Sequence, residues 1–188
     1  MAWQETHKEQ SKDRILQSAA MLFTHHGFEK ISIDQVMKKA ELTRGAFYSH
    51  FSSKSDLYAQ AITKASQVAY QRKPLNCPQN MDDFAQYYLS TQHRDSNDEQ
   101  GCPLAFLVSD ISQQDEQVKA TYTKTLQAFI AQAQVLTGNC EQALQSAVLM
   151  IGGLALSRAI DNKAFSDELL NACQNGVPSL TSKLTNES

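Results

Sequence analysis

Residues 32–58 read Ser-Ile-Asp-Gln-Val-Met-Lys-Lys-Ala-Glu-Leu-Thr-Arg-Gly-Ala-Phe-Tyr-Ser-His-Phe-Ser-Ser-Lys-Ser-Asp-Leu-Tyr. The pattern predicts two short helices joined by a tight turn, then the start of a longer helix. Ser32 with Gln35 three positions on is a capping-box arrangement. Ile33, Val36, Met37 and Ala40 share one apolar face. Ala40-Glu41-Leu42 is the turn, and Thr43 is placed to cap the second helix. At about 100° per residue, Arg44, Tyr48, Gly45 and Ser49 fall on one continuous arc, whereas Ala46, Phe47 and Phe51 point into a core. An outer face made of a cation, a phenol, a bare backbone and a hydroxyl is one that a DNA major groove accepts.

The flanking sequence is helical as well, with no convincing strand pattern. Upstream, a helix is expected from about Ser11 to His26, with Ile15, Leu16, Ala19, Leu22 and Phe23 inward and Gly27 as its C-terminal cap. Downstream, Ser53 caps a long helix to about Arg72, with Leu57, Ala61, Ile62, Ala65, Val68 and Ala69 inward. Pro74 and Pro78 then break the chain. Met81, Phe84, Tyr88 and Leu89 mark the next helix, and Arg94 to Gly101 reads as a polar loop. Pro103 opens another helix, whose inward face is Leu104, Leu107, Val108 and Ile111. A long helix is expected from Asp115 to Leu136, with Val118, Tyr122, Leu126, Phe129, Ile130 and Ala133 in register, ended by Gly138. One more spans about Cys140 to Ile160. The last begins at Ser166 and carries Leu169, Leu170, Cys173, Val177, Leu180 and Leu184. Asn175-Gly176-Val177-Pro178 is expected to kink or break it.

Length and composition bound the function. A chain of 188 residues, 41% hydrophobic and 20% charged, suits one ordinary globular domain or a small head on a larger body. The formal net charge of −3 argues against a protein that coats nucleic acid non-specifically. Residues 1–58 nevertheless carry 8 Lys/Arg against 7 Asp/Glu, and the remainder carry 9 against 13, so the head is the more cationic part. Cys77, Cys102, Cys140 and Cys173 lie too far apart for a zinc ribbon or a disulfide framework. A reduced, cytoplasmic setting is expected. The polar N-terminus is not a signal peptide. The longest apolar run, Ala147–Leu156, is 10 residues, half of the roughly 20 needed to span a bilayer, so no membrane association is expected. No H-E-x-x-H, Gly-rich phosphate loop or G-x-S-x-G elbow is present. His25 and His26 are adjacent and splay apart on a helix. No catalytic residue, metal site or cofactor is predicted.

Ala40, Leu42, Thr43, Arg44, Gly45, Phe47, Tyr48, His50, Phe51, Ser53, Lys54, Asp56 and Leu57, with Ile15–Phe23 and Gly27-Phe28 upstream, resemble the TetR family of bacterial one-component regulators. The resemblance covers about Lys12 to Tyr58. A Gly101-Cys102-Pro103 segment is also seen in one branch of the family. The turn position that is Gly in most members is Glu41 here, where a positive φ costs a side chain about 1 kcal/mol.

The resemblance implies an all-α fold. A three-helix head with a helix-turn-helix, residues 1–58, continues through a linking helix (about 54–72) into a helical body, 59–188, that dimerises and binds an effector. The expected DNA-binding set is Thr43, Arg44, Gly45, Tyr48, Ser49, His50 and Lys54. Arg44 would reach a guanine edge or a phosphate. Tyr48 and Lys54 would set register on phosphates, Gly45 would admit the backbone to the groove, and Thr43 would offer its hydroxyl or helix amides to phosphate. His50 is as well explained as a buried, satisfied histidine. Lys12 and Arg14 are either solvated or contacts to flanking phosphates.

In the body, Tyr88, Phe106, Tyr122 and Phe129 are the expected lining of an effector pocket, against a bland reading as core. Ala147–Leu156 is apolar all round, as a fully buried helix is. The resemblance places a homodimer interface over about 140–184. Cys102 is either a small core residue or a thiol sensor at a helix start. The expected function is a repressor of near-palindromic double-stranded DNA, released by a small-molecule effector. One alternative is a Cys102-based redox or electrophile sensor, and another is a helical enzyme or non-DNA adaptor.

Overall fold

The computed structural model describes residues 2–71, 78–96 and 101–182, with side chains described from His7 to Leu180 within those ranges. All regular structure among them is helical: α1 (Ala2–Lys30), α2 (Ile33–Lys39), α3 (Arg44–Tyr48), α4 (Lys54–Gln71), α5 (Met81–Tyr88), α6 (Thr91–Arg94), α7 (Pro103–Phe106), α8 (Val108–Ile111), α9 (Glu116–Thr137), α10 (Cys140–Ala159) and α11 (Lys163–Ser182). They form two compact units, one of residues 1–71 with 97–124 and the other of 72–96 with 125–188.

In the first unit α1 packs along α4, and α2 and α3 close one end. Its core is Ile15, Ala19, Phe23, Val36, Met37, Phe47, Phe51, Leu57, Tyr58 and Ile62, joined by Leu107, Ile111 and Val118. The expected capping box forms, with the Gln35 amide donating to Ser32 Oγ (3.2 Å) and the Ser32 amide to Gln35 Oε1 (2.7 Å). Ser53 Oγ likewise accepts from the Asp56 amide at the start of α4 (3.0 Å). Gly27, with φ +77° and ψ 177°, interrupts α1 at its expected stop, and one further helical turn follows to Lys30. A side chain there would strain the backbone and press its Cβ to 2.9 Å from Asp110 Oδ1.

In the second unit α10 packs on α11, and both meet α5. Met81, Phe84, Tyr88, Leu89, Ala133, Ala147, Met150, Leu154, Leu170 and Val177 are buried there. At Gly153 α10 approaches its neighbours closely, since a Cβ would lie 2.7 Å from Cys173 Sγ and 3.2 Å from a Leu89 methyl.

Four expectations are corrected. Residues 103–111 form two single turns broken at Leu107 (φ −111°, ψ 2°), not one helix, and Val108 turns outward, 47% exposed. Arg94 is not a loop residue. It ends α6 and is buried, donating to Asp95 Oδ1 (2.7 Å), Ser166 Oγ (2.8 Å) and Asp167 Oδ1 (2.5 Å). Two carboxylates and a hydroxyl meet the guanidinium's fork, which is what a buried cation needs. α11 runs unbroken past Pro178 to Ser182. A proline so near a helix end leaves few backbone bonds to lose, and Val177 and Leu170 keep the helix seated. Finally, Ala147–Leu156 is not buried all round, because Val148 is 72% and Leu156 59% exposed. Arg72, Pro74, Cys77, the loop residues Asn97–Gln100 and Leu184 lie outside the described residues.

Candidate nucleic-acid interface

α3 is five residues long and is set by the turn before it. Glu41 has φ +52°, the left-handed conformation that glycine adopts without strain. Three contacts surround it. The Leu42 amide donates to the Met37 carbonyl (3.0 Å), and the Arg14 guanidinium donates to the Ala40 carbonyl (2.7 Å) while pairing with Glu41 at 3.4 Å. Arg14, expected to be solvated or on a flanking phosphate, is thus engaged at the end of α2. Sequence spacing offered no signal for a contact 26 residues away.

Phe47 is the anchor of α3. It is fully buried and stacks on Phe51, with ring centroids 5.7 Å apart. That burial turns the opposite side outward: Thr43, Arg44, Gly45, Tyr48 and Ser49 are all exposed, Tyr48 at 62%. Thr43 takes the N-cap position in extended backbone, but its side chain makes no capping hydrogen bond. Ser49 is the C-cap, and its hydroxyl donates to the Ala46 carbonyl (2.7 Å). The Arg44 guanidinium donates to Asp34 at 3.0 Å, and a hydrogen bond to Tyr48 followed by the Asp34 charge raises its pKa. Both partners of that exposed ion pair are solvated, so another anion can displace Asp34 at small cost.

A histidine and two lysines lie near α3 in the sequence or the fold. His50 is half-buried. Burial first, and then the Lys8 and Lys12 ammonium charges, hold its imidazole below the ordinary histidine value. Lys12 Nζ lies 5.7 Å from the centre of the Phe51 ring. Lys54 opens α4 with its Nζ 4.1 Å from the centre of the Phe28 ring. The region thus presents Arg44, Lys8, Lys12, Lys54 and His50 around a short aromatic-anchored helix, an arrangement able to bind a polyanion and read base edges.

The other expected residues lie apart from this arc. Tyr88 is buried in the second unit, with Phe129 at 5.1 Å and Phe84 beside both. Phe106 and Tyr122 belong to the first unit, where the Tyr122 hydroxyl donates to the Leu104 carbonyl (2.7 Å). Cys102 is 6% exposed, before the single turn α7. Among the described residues no group of three His, Cys, Asp or Glu side chains is placed to hold a metal ion, and no helix is long and apolar enough to cross a membrane.

Residues 15–61 match the family model of bacterial regulatory proteins of the tetR family. Over this stretch, which holds the second half of α1, all of α2 and α3 and the start of α4, the chain is similar to that family. Transposon Tn10 TetC protein of Escherichia coli is 44% identical over 43 residues, 23% of this chain and 22% of that protein. The A-factor receptor protein of Streptomyces griseus is 31% identical over 81 residues, 42% of this chain and 29% of the receptor. The chain thus spans less than a third of these curated relatives. In three dimensions it resembles the TetR-family regulator of Cytophaga hutchinsonii, with TM-score 0.76 and 16% identity over 94% of this chain and 98% of the other. The reduced form of Escherichia coli NemR gives TM-score 0.74 and 20% identity over 92% of this chain and 98% of that one. At such identities the structural likeness speaks to the fold. Among the described residues the fold is all-α, as the sequence predicts.

Proposed function

We propose that this chain is a homodimeric, sequence-specific DNA-binding regulator, a repressor of a near-palindromic operator released by a small-molecule effector. The observation that carries the reading is the outward arc of α3, with Arg44, Gly45 and Tyr48 exposed over a buried Phe47. In this reading Arg44 exchanges Asp34 for a base edge or phosphate, and Tyr48, Lys54 and His50 meet phosphates. The Thr43 hydroxyl, free of a capping bond, is available to another, and Ser49 and Gly45 complete the close approach. Residues 1–58 act as the head, and 59–188 dimerise and bind the effector.

A two-fold operator needs a two-fold protein. The outward apolar residues Leu144, Val148 and Leu156 on α10, with Phe165 on α11, support a second copy covering residues 140–184. Tyr88 and Phe129 in the second unit, and separately Phe106 and Tyr122 in the first, are the candidate effector contacts. Tyr122 would offer its ring, since its hydroxyl is already donated to Leu104. Release follows from linkage: an effector that favours a dimer state with mismatched head spacing weakens DNA binding by the same factor as DNA weakens the effector. The buried Cys102 thiol does not favour the sensing alternative, because thiol reactivity requires access. A cytoplasmic location accords with a DNA partner. Gel retardation with DNA from the region upstream of its own gene tests the proposal. Failure to retard it at low salt would turn the reading toward an adaptor or enzyme.

A further inference from the structure

Asp110 lies on α8, far in sequence from the helix-turn-helix, yet both of its carboxylate oxygens are bound to residues of α1 and α4. Oδ1 accepts from the Phe28 amide (3.2 Å), and Oδ2 accepts from the Tyr58 hydroxyl (2.5 Å). Gly27 leaves the space for this approach. Tyr58 is fully buried, 4.8 Å from the Phe23 ring and 5.2 Å from the Phe28 ring. The Phe28 ring in turn lies under the Lys54 ammonium at 4.1 Å. A continuous set of contacts therefore runs from the α8 carboxylate through an amide and a phenol to one aromatic ring, and from that ring to a cation beside the arc. At the next turn the Ser55 hydroxyl donates to Asp115, and Gln117 Nε2 donates to Asp56 at 3.5 Å, so the start of α4 is held to the start of α9 as well.

We propose that Asp110 is a positioning residue for DNA binding: by fixing the Phe28 backbone and the Tyr58 phenol, it sets the ring that holds Lys54 where a phosphate meets it. The proposal rests on the DNA-binding reading above. An ammonium over a ring face is attracted by the ring's quadrupole, and a lysine restrained in this way loses less side-chain freedom on contacting phosphate. Phe28 follows the left-handed Gly27, where the chain has left the helical path, so its amide depends on Asp110 for its partner.

The test is a set of double-mutant cycles on DNA affinity, read beside thermal unfolding. Asp110→Ala should weaken binding about three- to tenfold while the protein stays folded at the assay temperature, and the loss should overlap with that of Lys54→Ala in the double variant. Asp110→Ala with Arg44→Ala should instead multiply. Phe28→Leu keeps the amide contact and removes the ring face. It should reproduce the Lys54→Ala loss, and it carries the test if Asp110→Ala does not fold. A DNA-independent readout separates this inference from the function it rests on. In the free protein the Lys54 ε-methylene protons should show a ring-current shift, which Phe28→Leu abolishes and Asp110→Ala reduces. If the wild type binds no DNA, the functional reading falls and this inference falls with it, whatever the shift. If the wild type binds DNA but the Asp110/Lys54 and Phe28/Lys54 cycles multiply, or the shift is unchanged in a folded Asp110→Ala protein, the positioning role is wrong and the functional reading stands.

Discussion

Arg44 and Lys54 contribute differently to recognition because their surroundings differ. Arg44 is exposed on the arc and paired only with solvated groups, so Arg44→Ala should leave stability nearly unchanged. If it reads a base, affinity should fall about ten- to hundredfold, with relaxed preference at one operator position. Lys54→Ala should weaken all sequences alike and flatten the salt dependence by about one unit. Retardation assays at several salt concentrations distinguish the two, and unaltered affinity in Arg44→Ala and Tyr48→Ala would remove the basis for DNA binding. His93 makes a pH prediction. Its Nδ1 lies 2.7 Å from the Tyr88 carbonyl, and burial outweighs that contact to hold its pKa below the ordinary value, with Arg158 adding to the lowering. The unfolded chain therefore takes up the proton first. The stability due to a neutral His93 is complete above about pH 6.5 and lost as pH falls toward the lower folded value. Unfolding midpoints should begin to drop as pH falls through about 6.5, above the range where carboxylates titrate, and His93→Gln should reduce the drop. His50 shifts in the same direction, so His50→Gln should remove a further part.

At the scale of elements, the turn and cap around α2 decide how α3 is presented. Ser32→Ala removes both the side-chain acceptor and half of the capping box, and should cost about 1 kcal/mol in urea unfolding. Glu41→Gly should act in the opposite direction. The left-handed φ at Glu41 strains a side chain, and the exposed Arg14 pair lost with it is weak, so stability should rise by up to about 1 kcal/mol. A fall in stability would show that the Glu41 carboxylate matters more to Arg14 than the backbone strain does. For α1–α4, the cap residues and inward stripes were legible because they repeat at helical spacing. The broken helix at Leu107 was not, since Leu104, Leu107 and Ile111 satisfy one helix face equally well until Tyr122 takes the Leu104 carbonyl.

At the scale of the whole molecule, the exposed apolar residues of α10 are where the proposed dimer is tested. Val148→Glu or Leu156→Glu should give a monomer with its fold intact and operator binding lost, because an unpaired charge buried between subunits costs several kcal/mol. Leu149→Glu should behave differently. A methyl of Leu149 would lie 3.0 Å from a Cβ at Gly176, so this side chain faces α11 and a charge there should damage the unit itself. Light scattering paired with thermal unfolding separates these outcomes, and a monomeric wild type at micromolar concentration would refute the dimer.

Local chemistry sufficed for the helix-turn-helix. The capping box, the apolar face of α2 and the arc from Thr43 to Ser49 depend on residues three or four apart, where helical geometry settles which side chains are neighbours. The same holds for the all-α character and for the stop at Gly27. Contacts between residues far apart in the chain needed the folded structure. Nothing in the spacing of Arg94 and Asp167 foretells a buried ion pair, nor does Asp110 announce a bond to Phe28, 82 residues away. The direction of Val148 was also undecided, because an apolar run carries no periodic signal to separate inward from outward faces. Packing against α5 and α11 chose the inward side of α10 and left Val148 and Leu156 on the exposed side.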